Sequence, residues 1–250
     1  MKKVLALFLV LLLLVPLFSG CAKKESVLRV GTSADYPPFE YVDEKTKEFV
    51  GFDLDLMRLL GKKMGYDKVE IVNMDFDTII PSLQADKIDV GAACITITDE
   101  RLQQADAVPY LSTGQVMIVK KDSTFEPKTF DDLSGHKIGV QKGTTGEEAI
   151  DKAIADGKIK NANVMRYTSA VLAITDLQNG NVDVVVTDAP VATYYTQKQE
   201  FKVTGELTQE EAGLFIKKGN TELKSKLEKA LSEVKGTQDW TDLINKYFGG

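Results

Sequence analysis

The segment Leu83-Gln84-Ala85-Asp86-Lys87-Ile88-Asp89-Val90 returns later in the chain as Leu177-Gln178-Asn179-Gly180-Asn181-Val182-Asp183-Val184. Each copy reads as the end of a helix, a turn and a buried strand. Each is soon followed by a new helix start, Thr98-Asp99-Glu100-Arg101 in the first half and Thr187-Asp188-Ala189-Pro190 in the second. The copies lie much further apart than the roughly 20–50 residues of a solenoid repeat. Two similar α/β lobes account for this most simply; a chance match of short, common residues is the alternative.

The remaining pattern agrees with lobes of that kind. Strands are expected at 27–31, 69–72, 116–119, 137–140, 164–167 and 184–186. Apolar residues at helical spacing predict a helix from Phe52 that ends before Gly65. Asp77 is expected to cap a helix whose second turn carries Pro81. Thr144 or Thr145 starts another, with Glu147 and Glu148 in its first turn, where the helix dipole favours acids. Further helices are expected at 170–177, 221–234 and 239–247. Strands alternating with helices imply parallel sheets covered on both faces, with ligands bound beyond the strands' carboxyl ends.

Charge narrows the function. The 250 residues carry 31 Lys plus Arg against 37 Asp plus Glu, a net charge of −6, which opposes binding to nucleic acid. A single His leaves little for His-based zinc sites or triads. No cofactor or metal is expected.

The first residues read as an address. Lys2 and Lys3 precede an apolar run over 4–18 that Pro16 interrupts, and Ser19-Gly20-Cys21 follows. This is a secretory signal over 1–20, too short and broken for a good membrane span. Phe18-Ser19-Gly20-Cys21 also resembles a bacterial lipobox, which implies cleavage before Cys21, lipidation of its thiol and a tether over 21–26. Phe18 departs from the usual Leu, and an ordinary signal with an incidental Cys21 is the alternative.

Arg101 falls in the first turn of its helix, where an anion is favoured and a cation is not. A bound carboxylate sharing the site would explain it, since guanidinium grips carboxylate through two parallel hydrogen bonds. Pairing with Asp99 or Glu100 on a solvated face is the alternative. Asp188 reads either as a helix N-cap or as an acceptor for an ammonium. Together on repeated units, Arg101 and Asp188 could hold the two ends of a zwitterion. Gly143-Thr144-Thr145-Gly146 is either a capped βα turn or a source of donors for an anion, and it lacks the Lys of a phosphate loop. Tyr36 and Phe76 are aromatic residues at turn or helix junctions that either pack in the core or flank a ligand; Phe39 reads as core. Cys94 is expected on a strand as a buried inert thiol, His136 on a surface turn and Trp240 in helix packing.

Several motifs in one order resemble the amino-acid-binding proteins of bacterial polar amino acid ABC importers. They are Gly31-Thr32, Tyr36-Pro37-Pro38-Phe39-Glu40, Val50-Gly51-Phe52-Asp53-Leu54-Asp55-Leu56, Ile80-Pro81-Ser82-Leu83, Ile95-Thr96-Ile97-Thr98-Asp99-Glu100-Arg101, Val140-Gln141-Lys142-Gly143-Thr144-Thr145-Gly146 and Thr187-Asp188. The resemblance implies an α/β, two-lobe periplasmic-binding-protein-like fold with two connecting hinge strands. It places lobe 1 at 27–113 and 211–250 and lobe 2 at 114–210. It implies that Arg101, Thr96 and the Thr145 backbone hold an α-carboxylate beside Thr144, that Asp188 holds the α-amino group, and that Tyr36 and Phe76 flank the side chain. The implied partners are an amino acid and a membrane permease. The implied state is an extracytoplasmic, lipid-anchored monomer.

Ser33-Ala34-Asp35-Tyr36, with acids at Asp35 and Glu40, resembles binders of arginine or lysine, whereas Met74-Asp75-Phe76-Asp77 resembles binders of glutamine. Basic amino acids therefore rank first and glutamine second. Cys94 stands where relatives often carry Ser, Gly or Ala; Ala107-Val108-Pro109-Tyr110 and Glu211-Ala212-Gly213 also depart from the usual pattern. The alternatives on this fold are a cyclohexadienyl-dehydratase-like enzyme, with Glu40 or Lys142 as acid–base group, and a ligand-sensing module.

Overall fold

The computed structural model describes residues 25–197 and 200–249. The signal over 1–20, Cys21 and the tether up to residue 24 lie outside the described residues. Among the described residues no helix is long and apolar enough to cross a membrane.

Two five-stranded sheets share one plan. The first contains β1 (Val27–Thr32), β5 (Lys68–Asn73), β6 (Val90–Gly91), β7 (Ala105–Thr113) and β13 (Glu210–Lys217), in the order β5-β1-β6-β13-β7. The second contains β8 (Gln115–Lys120), β9 (Lys137–Gln141), β10 (Asn163–Tyr167), β11 (Val184–Asp188) and β12 (Phe201–Glu206), in the order β10-β9-β11-β8-β12. The two echoed segments end on β6 and β11, which hold the same third place in their sheets.

The expectation of purely parallel sheets needs correction. The first three strands of each sheet are parallel, but β13 runs antiparallel to β6, and β8 antiparallel to β11. The reason lies in the connections. β7 leads through Gly114 directly into β8 of the other sheet, and β12 returns through residues 207–209 to β13. A strand arriving from the opposite sheet enters in the reverse direction. Pro109 sits on β7, an edge strand, where a missing N–H is tolerated.

A small sheet of β2 (Asp35–Tyr36), β3 (Glu40–Val42) and β4 (Phe49–Val50) leads into helix α1 (Phe52–Lys63). No side chain caps α1; the carbonyls of Pro38 and Phe39 accept its first N–H groups, from Phe52 at 2.9 Å and Asp53 at 3.0 Å. That contact brings the backbone of the Pro-Pro turn against Gly51, whose φ is 135°. Phe39 and Phe52 are fully buried beside Tyr110, Trp240, Tyr247 and Phe248. Phe52 lies 4.9 Å from Phe248 and 5.7 Å from Trp240, centroid to centroid. Trp240 thus packs its helix, as expected.

Asp77 is not a cap. It lies inside a 3-10 turn (Phe76–Thr78), and α2 (Ile79–Gln84) begins after Thr78. Cys94 is not on a strand: it follows β6 in a bend at φ 46°. His136 is on a turn, stacked on Phe125 and 3.2 Å from Asp183. The other helices are α3 (Asp99–Gln104), α4 (Thr145–Ala155), α5 (Ala170–Asn179), α6 (Ala189–Gln197), α7 (Thr221–Val234) and α8 (Gln238–Phe248).

A Cβ at Gly51 would collide with the Phe39 carbonyl and lie 2.7 Å from the Glu40 nitrogen, at a φ that side chains avoid. Gly51→Ala is therefore expected to lower unfolding stability by about 2 kcal/mol or more, measured by urea denaturation.

Candidate functional site

A cleft lies between the two sheets. Tyr36, Phe76, Thr96 and Arg101 line it from the first sheet's side, and Thr144, Thr145 and Asp188 from the second's. All seven residues singled out from the sequence for ligand contact meet there. Its free volume is about 10 Å³, roughly that of one water-sized sphere, so the lobes stand closed with the site groups pressed on one another.

Arg101 is only 7% exposed. The Thr98 hydroxyl caps α3 by accepting the Arg101 backbone N–H at 3.2 Å, and this sets where the side chain begins. The guanidinium donates to the Thr96 carbonyl at 2.8 Å and, across the cleft, to the Gly143 carbonyl at 2.9 Å. Its carbon lies 5.7 Å from the Phe76 ring centre. It turns inward, not toward Asp99 or Glu100. Burial pushes its pKa down, with Glu148 and Glu210 opposing that shift. A buried guanidinium held by neutral carbonyls is a natural seat for an anion.

Thr144 is the N-cap of α4: its hydroxyl accepts the Glu147 N–H at 3.2 Å and donates to the Gln141 carbonyl at 2.7 Å. Thr145 and Thr96 both donate to one oxygen of Glu210, each at 2.7 Å. The other Glu210 oxygen accepts from Thr208 at 2.7 Å. Glu210 opens β13 and so ties both sides of the cleft to the connecting strand. Nothing in the sequence marked it, because it pairs with residues far from it in the chain.

Asp188 closes β11 and is buried. Its carboxylate accepts from the Tyr36 hydroxyl at 2.5 Å and the Thr113 hydroxyl at 2.9 Å. Burial raises its pKa to about 6. More contacts cross the cleft: Asp35 accepts the Ala170 N–H at the start of α5 at 3.0 Å, and Lys142 pairs with Asp77 at 2.8 Å on the rim. Lys142 thus serves the rim and does not line the cleft.

Glu40 also lines the cleft and is fully buried, with Asp53 near it. Asp53 accepts the Cys94 N–H at 2.8 Å and the Tyr110 hydroxyl at 2.7 and 2.8 Å. These bonds hold the Cys94 bend at its positive φ. Burial pushes Asp53 up to about 7, and burial beside Asp53 pushes Glu40 well above the carboxylate range. In the sequence, Asp53 looks like an ordinary acid favouring a helix start, which conceals its burial. Among the described residues no group of His, Cys, Asp or Glu is arranged to hold a metal.

Raised carboxyl pKa values make the folded chain hold protons that the unfolded chain, titrating near 4, releases. This contribution to stability is present at low pH and is lost as pH rises through about 6 to 7, the folded values of Asp188 and Asp53. The ligand-free chain is therefore expected to lose about 1 kcal/mol or more between pH 5 and pH 8, measured by urea midpoints.

Comparison with known proteins agrees with this geometry. The chain is 33% identical over 248 residues to the ABC transporter arginine-binding protein 1 of Escherichia coli K12, covering 96% of this chain and 98% of that one. An ancestral arginine-binding protein bound to arginine superposes with a TM-score of 0.83 at 42% identity, over 90% of this chain and 99% of that one. An ancestral arginine-binding protein bound to glutamine gives 0.82 at 42% identity, over the same shares. The sequence signature that matches residues 28–250 covers nearly all of both lobes, and by it this chain belongs to the bacterial extracellular solute-binding proteins, family 3.

Proposed function

We propose that this chain captures a polar amino acid outside the cytoplasm and delivers it to the permease of an ABC importer by closing its lobes. It binds without catalysing a reaction. The observation that carries the reading is the placement of two buried, opposite charges, Arg101 and Asp188, on different lobes of one cleft. A zwitterion satisfies both at once. Arg101 takes the α-carboxylate with help from Thr96, Thr144 and the Thr145 backbone, and Asp188 takes the α-ammonium. Tyr36 and Phe76 flank the side chain.

The ligand replaces contacts that the closed lobes make with each other. Its carboxylate takes the Arg101 donor held across the cleft by the Gly143 carbonyl, and its ammonium takes the place of the Tyr36 hydroxyl on Asp188. Bonds that the ligand makes with both lobes together favour closure. The permease then distinguishes closed from open lobes. Basic amino acids rank first and glutamine second, supported by the acids Asp35 and Glu40 at the cleft and by the arginine- and glutamine-bound structural relatives.

Arg101→Ala is expected to weaken binding of every amino acid by about 100-fold or more in titration calorimetry, the scale of losing a buried charge partner. Asp188→Asn should weaken binding similarly, while Phe76→Ala should change the order of preference. Unchanged affinity in Arg101→Ala would remove the carboxylate role.

We also propose that Cys21 carries the lipid anchor and that the chain acts as a monomer. Support for the anchor is the Phe18-Ser19-Gly20-Cys21 pattern after the apolar signal. Cys21→Ser should move the protein from the membrane fraction to the soluble one. Intact membrane retention would refute the anchor.

A further inference from the structure

One end of the cleft holds more carboxyl groups than its surroundings can keep ionised. Glu40 is fully buried, and no donor reaches either carboxyl oxygen in hydrogen-bond geometry. Its neighbour Asp53, on α1, has its oxygens committed to the Cys94 N–H and the Tyr110 hydroxyl. Asp35 on β2 and Asp188 on β11 add two more acids acting on Glu40.

No cation touches them, although Arg101 acts on Asp188 through space. Glu40, Asp53 and Asp188 form no ion pair with Lys or Arg among the described residues. Arg101, at the other end, is taken by the Thr96 and Gly143 carbonyls, and Glu210 lies on the connecting strand. The remaining titratable groups here, Tyr36, Cys94 and Tyr110, are all pushed up by burial and stay neutral. Two buried carboxyls side by side cannot both ionise, so Glu40 and Asp53 hold a proton between them, with Asp53 as the hydrogen-bonded anion and Glu40 as the acid.

We propose that capture of an amino acid expels the proton shared by Glu40 and Asp53, so that binding is coupled to proton release. The proposal rests on the reading that the ligand ammonium docks at Asp188. That charge enters the same enclosure as Glu40, where Coulomb interaction is poorly screened, and it supplies the cation the acids lack. The proton leaves to solvent as the ammonium arrives. Linkage is reciprocal, so protons must also weaken the ligand. Affinity therefore falls as pH falls, by up to tenfold per pH unit where a full proton is released.

The test is titration calorimetry of L-arginine into the full chain at about pH 7.5, in phosphate and in Tris. Released protons are taken up by the buffer, and the two buffers differ in ionisation heat. We expect about half a proton or more released per arginine. In Glu40→Gln, whose amide can donate to Asp53 and keep it ionised, we expect less than about one fifth per arginine bound, even where the affinity for arginine itself has fallen. Arginine binding whose heat does not depend on the buffer would overturn the coupling and leave the amino-acid reading intact. Equal release from wild type and Glu40→Gln would overturn the assignment to Glu40. Failure of the wild-type chain to bind any amino acid would instead overturn the functional reading. If Glu40→Gln does not fold, the wild-type Kd between pH 6 and pH 8.5 decides: a steep fall with rising pH supports the coupling, and a flat profile ends it.

Discussion

The ladder between β7 and β13 is the constraint on which the molecule depends. It runs from Glu210 opposite Thr113 to Lys217 opposite Ala105, within the first sheet. Both strands continue directly into the second sheet, so the chain crosses between lobes twice, side by side. A side chain at Gly114 would strike the Thr208 carbonyl, so the two crossings are packed against each other. A joint of two adjacent strands lets the sheets rotate about it but not slide apart. It also returns the chain to the first lobe, where α7 and α8 complete the core around Phe52 and Trp240.

Glu210 stands where that joint meets the cleft. Its carboxylate collects Thr96 from one side and Thr145 from the other, while Asp188 collects Tyr36 and Thr113. In the proposed closure, rotation about the joint would make or break these bonds together. The same closure strips water from Arg101 at one end and from Glu40, Asp53 and Asp188 at the other. Removal of water makes each charge costly unless it is matched. The cleft carries both Arg101 and Asp188, so the proposed zwitterion would find a partner for each of its charges.

Much of this was legible from residue order. The echo around Leu83 and Leu177 reported two strands holding the same place in separate sheets. Apolar spacing located α1, and the Thr144 cap with its following acids located α4. Where expectation and structure part, the cause is a distant partner. Asp77 has cap chemistry, but a 3-10 turn and Lys142 claim it. Cys94 lies among strand-forming residues, yet Asp53 takes its N–H and holds it in a bend. Glu210 looks like an ordinary surface acid until the sheets fold over it, and Glu40, marked only by resemblance, gives no local sign of its burial.

Residue order alone settles the local elements, the duplicated plan and the residue types gathered in the cleft. Those follow from periodicity, capping chemistry and motif order, all of which act over a few turns of chain. The mixed sheets, the inward turn of Arg101 to Gly143 and the gathering of four acids at one poorly solvated end emerge only when the chain is folded. These outcomes depend on strands crossing between lobes and on burial, and burial is a property of the assembled layers, not of any segment.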